Sequence, residues 1–334
     1  MAIDLSMLDL ANVAEGESSS QALQRTLTLA TRAEAAGASR FWVAEHHNMD
    51  SVASTSPPVI MAALAARTST IKVGSGGVML PNHAPYAVAE QFAALEALYP
   101  GRVDLGLGRA PGTDMVTARA LRRGTEQLGA EEFPQHVLEL MSWFGDNRLE
   151  EPLSAKLKAT PKAESHPEIW ILGSSDYGAR LAGMLGVRYC YAAHFGQYDP
   201  FAVLEAYRKS FQPSPALDAP HAMVCTSAIT ADTAEEAEFL AGPAKVMALG
   251  MRQNKRGPIV SPEKAAEVTA GLSELDEMML AQLPATKFVG THDDVTERLA
   301  KFTDHIGAAE LMLTATTHDV DTKAETFEAI SKRW

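Results

Sequence analysis

Apolar residues along this chain fall into two alternating kinds of run. Short continuous runs read as strands buried on both faces, and longer stretches with apolar positions every three or four residues read as helices. The strand runs are Ile3 to Leu10, Arg40 to Ala44, Ile71 to Leu80, Arg102 to Gly108, Glu168 to Leu172, Val187 to Ala193, His221 to Ile229 and Glu310 to Ala315. Between them the helical period covers a stretch ending near Ala36 and Gly37, then Pro58 to Arg67, Ala84 to Leu98, a polar segment running to Gly145, and Tyr177 to Leu185. It continues through Phe201 to Phe211, a long region from Ala234 to Gln282, Val295 to His305, and a last helix closing at Trp334. Gly37 is placed to cap the first helix, and Pro100-Gly101 stops the one ending at Leu98.

Strands joined by helices pair in parallel. Eight such units are the count of a (β/α)8 TIM barrel, with two stretches set aside as insertions, near 146–166 and 234–285. The first insertion is charged and punctuated by proline, which places it on the surface. A doubly wound sheet is the rival fold, but its first strand normally runs into a glycine-rich phosphate turn, and Asp9 to Val13 holds no glycine. No linker divides the chain, so residues 1–334 read as a single domain.

Barrel sites gather at the C-terminal ends of the strands, and polar residues begin there in this chain. They are Glu45, His46 and His47, then Pro81, Asn82 and His83, then Arg109, Ser174, Ser175 and His194. The third strand run carries Gly74, Gly76 and Gly77 at its centre. Glycine weakens a strand, so these imply a sharp bend or a flat body lying on bare backbone. Arg109 ends an apolar, glycine-rich strand, where a guanidinium either pairs with a structural carboxylate or receives an anion. Gly173-Ser174-Ser175 precedes a helix whose first amides point at the mouth; Ser175 or Asp176 is the alternative partner for those amides, as an ordinary cap.

Glu45, His46 and His47 admit three readings: a hydrogen-bonded strand end, a metal site, or a proton-handling group. Alternation within a strand sends only one of the two histidines to the mouth. Barrel hydrolases use metal ligands two apart on one strand, and no His-x-His or His-Glu-x-x-His occurs here, so no metal is expected. His83, His194 and Tyr198 are candidates for the substrate mouth, with an idle loop side chain as the alternative for each.

Composition narrows the partners. The 334 residues are 46% hydrophobic, enough for one large core. A formal charge of -13, from 29 basic against 42 acidic residues, disfavours nucleic acid. Cys190 and Cys225 lie in apolar strand runs and read as reduced core thiols of a cytoplasmic protein. No apolar run approaches the length of a membrane span, and the N-terminus lacks the features of a signal peptide.

Glu45-His46-His47, the glycine-broken strand to Leu80-Pro81, the Pro100-Gly101-Arg102 turn, Gly108-Arg109 and Trp170-Ile171-Leu172-Gly173-Ser174-Ser175 together resemble the bacterial luciferase-like flavin monooxygenases. Gly290-Thr291 before the Val295 helix fits the same family. The resemblance covers nearly the whole chain and is loosest in the two insertions. It implies a barrel that binds reduced flavin mononucleotide (FMN), uses O2 on a small organic substrate, and is a homodimer. It also implies that a separate NAD(P)H:flavin reductase supplies the reduced flavin. By resemblance, His46 is the catalytic histidine, and Glu45, Gly76, Gly77, Arg109, Gly173, Ser174 and Ser175 are the flavin-binding set. Arg109 and the Gly173 turn would take the phosphate, and the backbone at Gly76-Gly77 would be distorted, a cis peptide included. The alternatives are hydride transfer with the deazaflavin F420, flavin binding without turnover, and a metal-dependent barrel hydrolase.

Overall fold

The structure is a computed structural model that describes residues 3–121, 131–253, 257–281 and 288–334. The parts of the expected helical stretches at 122–130, 254–256 and 282 lie outside the described residues. The strands are β1 (Asp4–Asp9), β2 (Arg40–Val43), β3 (Lys72–Ser75), β4 (Val78–Met79) and β5 (Val103–Gly108). They continue with β6 (Glu168–Gly173), β7 (Arg188–Ala192), β8 (Ala222–Ala231), β9 (Phe288–Thr291) and β10 (Glu310–Thr314). All pair in parallel, in the order β10-β1-β2-β3-β5-β6-β7-β8, and β10 pairs back to β8, so eight staves close a (β/α)8 barrel.

Each of the eight strand runs becomes one stave, with two departures. The third run is cut at its glycines into β3 and β4, and β4 pairs with β5 beyond the cut. β9 stands outside the ring on the outer end of β8, with Ala228 opposite Phe288 and Ala231 opposite Thr291. Four residues, Phe-Val-Gly-Thr, are too short for a period to register in sequence.

Alternation along the staves builds two apolar layers. On β2, Phe41 and Val43 pack outward into the large layer between strands and helices. Trp42 points to the axis, where it meets Leu8, Trp170, Cys190, Met223, Cys225 and Met312. Both cysteines are free and buried. Gly74 makes room for this interior, since a Cβ there would lie 2.3 Å from the Trp42 indole. At Gly106 a Cβ would meet the Ser75 carbonyl oxygen at 2.1 Å. The glycines thus answer first to close packing of the staves.

The opposite end of the barrel, its floor, is ionic. Arg40 is buried and donates through Nη1 to Asp104 at 2.7 and 2.9 Å and to Glu168 at 2.9 Å. Its Nε and Nη2 reach Glu310 at 2.8 and 3.1 Å. Trp42 Nε1 donates to Asp104 at 2.8 Å, His221 bonds Glu310 at 2.7 Å, and Lys72 pairs with Glu168.

The 146–166 insertion is a largely exposed excursion with one short turn of helix, Leu153–Ala155. The 234–285 stretch is not one long helix. Its described part is four short ones, Ala234–Leu240, Gly242–Arg252, Pro262–Ala270 and Glu274–Ala281, because Gly242-Pro243 and Pro262 can start helices but not continue them. It is tied to the loop after β1, where Ile259 exchanges backbone hydrogen bonds with Val13 and Glu15, both 2.8 Å. No helix among the described residues is long and apolar enough to cross a membrane.

Candidate active site

β2 stops at Val43, and Asn48 turns the chain with φ +56°, so Glu45, His46 and His47 lie in a loop beyond the strand. Strand alternation therefore does not govern where the two histidines point, which corrects the expectation that one of them faces outward.

Glu45 is fully buried, and its carboxylate is a hub. Oε1 accepts from Nε2 of His47 and Nε2 of His83, each at 2.9 Å, and Oε2 accepts the Met79 N–H at 3.0 Å. The Asn82 amide stands 3.4 Å from Oε1. Burial opposes the negative charge, yet donation from His83, His47 and the Met79 amide holds the carboxyl below the usual carboxylate range. These donors come from the loop after β2, from the end of β4 and from the loop that follows it, so Glu45 fastens the two loops together.

The same hub steadies a third loop, the one that begins at Arg109. Asn82 Nδ2 donates to the Pro111 carbonyl at 2.9 Å, and the His47 N–H donates to Gly112 at 3.2 Å. Thr113 Oγ1 returns a bond to the His47 carbonyl at 2.9 Å. A Cβ at Gly112, where φ is +63°, would lie 2.7 Å from the Glu45 carbonyl oxygen, so the contact demands glycine.

Arg109 itself is exposed, and its guanidinium carbon sits 4.0 Å from the centre of the Tyr177 ring. Among the described residues it has no carboxylate partner. Tyr177 lies in the first turn of the Asp176–Leu185 helix, so the guanidinium is held over that helix's N-terminus. The alternative of an ordinary cap is not what forms there. Ser175 makes no side-chain capping bond, and Asp176 turns to Arg180 at 3.3 Å. Open amides and a positive helix end therefore face an unpaired guanidinium, an arrangement that favours a phosphate. Behind the turn, the buried Tyr189 hydroxyl reaches the carbonyls of Gly173 at 3.3 Å and Ser175 at 3.2 Å. A Cβ at Gly173 would stand 3.3 Å from that hydroxyl.

His46 is half-buried, and its Nδ1 is sealed from solvent with no hydrogen-bond partner among the described residues. Burial lowers its pKa, so the ring is neutral at pH 7. His194 follows β7, with its Nδ1 3.4 Å from the Cys225 carbonyl. Burial, with a smaller contribution from His46, pushes its pKa down to about 4. β2 and β7 stand on opposite sides of the ring, and both loops open at its C-terminal end. The Gly76–Gly77 peptide bond is cis, where the glycine pattern and the resemblance placed a distorted backbone.

Several of these residues carried little signal in the sequence. Tyr177 and Tyr189 sat inside ordinary helix and strand patterns, and His83 and Asn82 looked like loop polar residues. Only the position after a strand pointed to the latter pair.

A model of the luciferase-like monooxygenases matches residues 3–309. An Escherichia coli luciferase-like monooxygenase is 40% identical over 326 residues, 98% of this chain and 95% of its own. A Bacillus subtilis N-acetyl-S-alkylcysteine monooxygenase is 33% identical over 300 residues, covering 90% of this chain and 88% of its own. The crystal structure of apo-MsnO8 matches with a TM-score of 0.91 at 29% identity, covering 99% of this chain and 98% of that one. Two more distant structures share the fold with TM-scores of 0.70 and coverage of 99% and 98%. They are the oxygenating constituent of a Pseudomonas putida 3,6-diketocamphane monooxygenase in complex with FMN, at 20% identity, and an F420-dependent secondary alcohol dehydrogenase, at 15%. The match to the family model over nearly the whole chain, on a closed eight-stave barrel, makes this protein a member of the luciferase-like monooxygenase family.

Proposed function

We propose that the chain is a single catalytic domain that binds reduced FMN and uses O2 to oxygenate a small organic substrate. The observation that carries this reading is the unpaired Arg109 guanidinium held over the uncapped N-terminus of the Asp176–Leu185 helix. A flavin phosphate fits it in charge and in hydrogen-bonding capacity. The partnerless, buried Nδ1 of His46 fits a polar group placed beside it. Bound reduced flavin would supply the electrons and the oxygen chemistry.

The protein's share is then to bind, orient and exclude water. Arg109 and the amides after Gly173, Ser174 and Ser175 hold the phosphate. Gly76 and Gly77 present bare backbone to the ring, and neutral His46 handles a proton beside it. Glu45, on the flavin side by resemblance, holds three loops in place through His47, His83 and the Met79 amide. Reduced flavin arrives from an NAD(P)H:flavin reductase, and the enzyme works as a homodimer in the cytoplasm. Two reduced core thiols and family membership support the last two points.

Titration with FMN, riboflavin and F420 tests the cofactor. Arg109→Ala should weaken FMN by about ten- to a hundred-fold while leaving riboflavin, which lacks the phosphate, within about two-fold. Equal losses for both would remove the phosphate assignment, and tighter binding of F420 than FMN would turn the reading to hydride transfer. Tyr189→Phe should show the same selectivity in smaller measure, about three- to ten-fold on FMN alone, because the hydroxyl holds the Gly173 and Ser175 carbonyls away from the anion. A lower melting temperature with unchanged FMN affinity would make Tyr189 a packing residue only.

A further inference from the structure

The loop after β7 carries chemistry that neither the phosphate cradle nor the Glu45 hub uses. His194 opens it, with its backbone N–H on the Cys225 carbonyl at 3.1 Å and its ring Nδ1 facing the same oxygen at 3.4 Å. A carbonyl only accepts, so Nδ1 carries the ring proton and Nε2 is left with a lone pair. That nitrogen makes no hydrogen bond to a described residue. His194 follows β7, the stave opposite β2 in the ring, so it starts its loop at the same end of the barrel as His46.

The same loop carries two exposed aromatic side chains, of which Phe195 touches the imidazole. Phe195 packs edge-on against the imidazole, centroids 4.6 Å apart at 85°, yet is 57% exposed, and Tyr198 is 58% exposed. The loop is braced, since the Tyr191 hydroxyl donates to the Tyr198 carbonyl at 2.7 Å. A Cβ at Gly196 would lie 2.5 Å from that hydroxyl, so the close approach requires glycine. A fixed acceptor next to exposed aromatic faces has the makings of a recognition surface.

We propose that His194, Phe195 and Tyr198 form the substrate-recognition face of the mouth, and that it selects uncharged aromatic compounds bearing an O–H or N–H donor. The donor meets His194 Nε2, and the ring lies against Phe195 and Tyr198. An anionic group is disfavoured there, because a neutral imidazole acceptor offers it no counter-charge. This assignment deepens the flavin reading only in placing the reaction at this mouth.

The test uses 4-methylphenol, 4-methylanisole and 4-methylbenzoate, which share a ring and differ in the polar group. Each is titrated by ligand-observed NMR into the protein with and without oxidised FMN. The wild type should bind the phenol about three- to ten-fold more tightly than the methyl ether, with the carboxylate weakest. His194→Phe should bring the phenol-to-ether ratio to about one with ether affinity within about two-fold, and His194→Gln, which keeps an acceptor, should retain part of the preference. A wild type with no preference, a ratio untouched by His194→Phe, or no binding of any probe by ~10 mM would overturn the assignment. FMN affinity, measured in the same samples, reports on the flavin reading separately. A preserved ratio without FMN binding would reject that reading and leave this one standing.

Discussion

His46→Ala should leave FMN affinity within about two-fold and slow product formation by about 10²–10⁴-fold, with reduced flavin still oxidised and hydrogen peroxide appearing in place of product. The ring is neutral at pH 7 because burial lowers its pKa, and its sealed Nδ1 has no partner among the described residues, so it is free to exchange a proton with a bound ligand. The depressed pKa gives the pH dependence a sign. The active neutral form persists as pH falls through the ordinary histidine range near ~6.5, and activity should decline only below it. A structural histidine would behave otherwise, lowering melting temperature and flavin affinity together while product per flavin stayed normal. Melting temperature, FMN affinity and peroxide yield on one preparation, with any substrate the wild type oxygenates, separate the two outcomes.

Arg40→Met should destabilise the fold by about 3–5 kcal/mol, the cost of leaving buried carboxylates without their cation. Asp104 is 0% and Glu310 2% exposed, and both rely on this guanidinium at 2.7 to 3.1 Å. Methionine fills much the same volume, so the loss reports on charge more than on packing. Glu168 adds a pH signature. Burial opposes its charge, but Arg40 and Lys72 lower its pKa to about 2. A depressed carboxylate contributes stability that is full above its unfolded pKa of ~4.3 and is lost as pH falls through the folded value. Between pH ~5 and ~2 the variant's stability should therefore fall less steeply than the wild type's. Urea midpoints across that range give both quantities, and a loss under about 1 kcal/mol at pH 7 would show that the carboxylates find other partners. The floor lies at the far end of the barrel from His46, so FMN affinity in the folded variant should be nearly unchanged.

Periodicity and punctuation carried the architecture. Eight apolar strand runs separated by helical stretches, with polar residues starting where strands stop, determined the barrel and the polar rim at its C-terminal end. Burial on both faces leaves that mark in the chain itself, because a stave inside a ring of helices has no polar side. Glu45-His46-His47, Arg109 and the Gly173 turn were legible for the same reason, as polar or glycine positions at strand ends. The tertiary structure decided what those residues do. Glu45 gave no sign in the sequence of being a buried hub, since its partners Met79, Asn82 and His83 lie more than thirty positions away. Arg109 could have paired with a structural carboxylate; it is stacked on Tyr177 because β5 and β6 are neighbours in the ring. His46 and His194, about 150 positions apart in sequence, reach the same end of the barrel because the ring closes. A linear pattern records which side of each element is buried, and it holds no information about which distant side chain arrives to meet it.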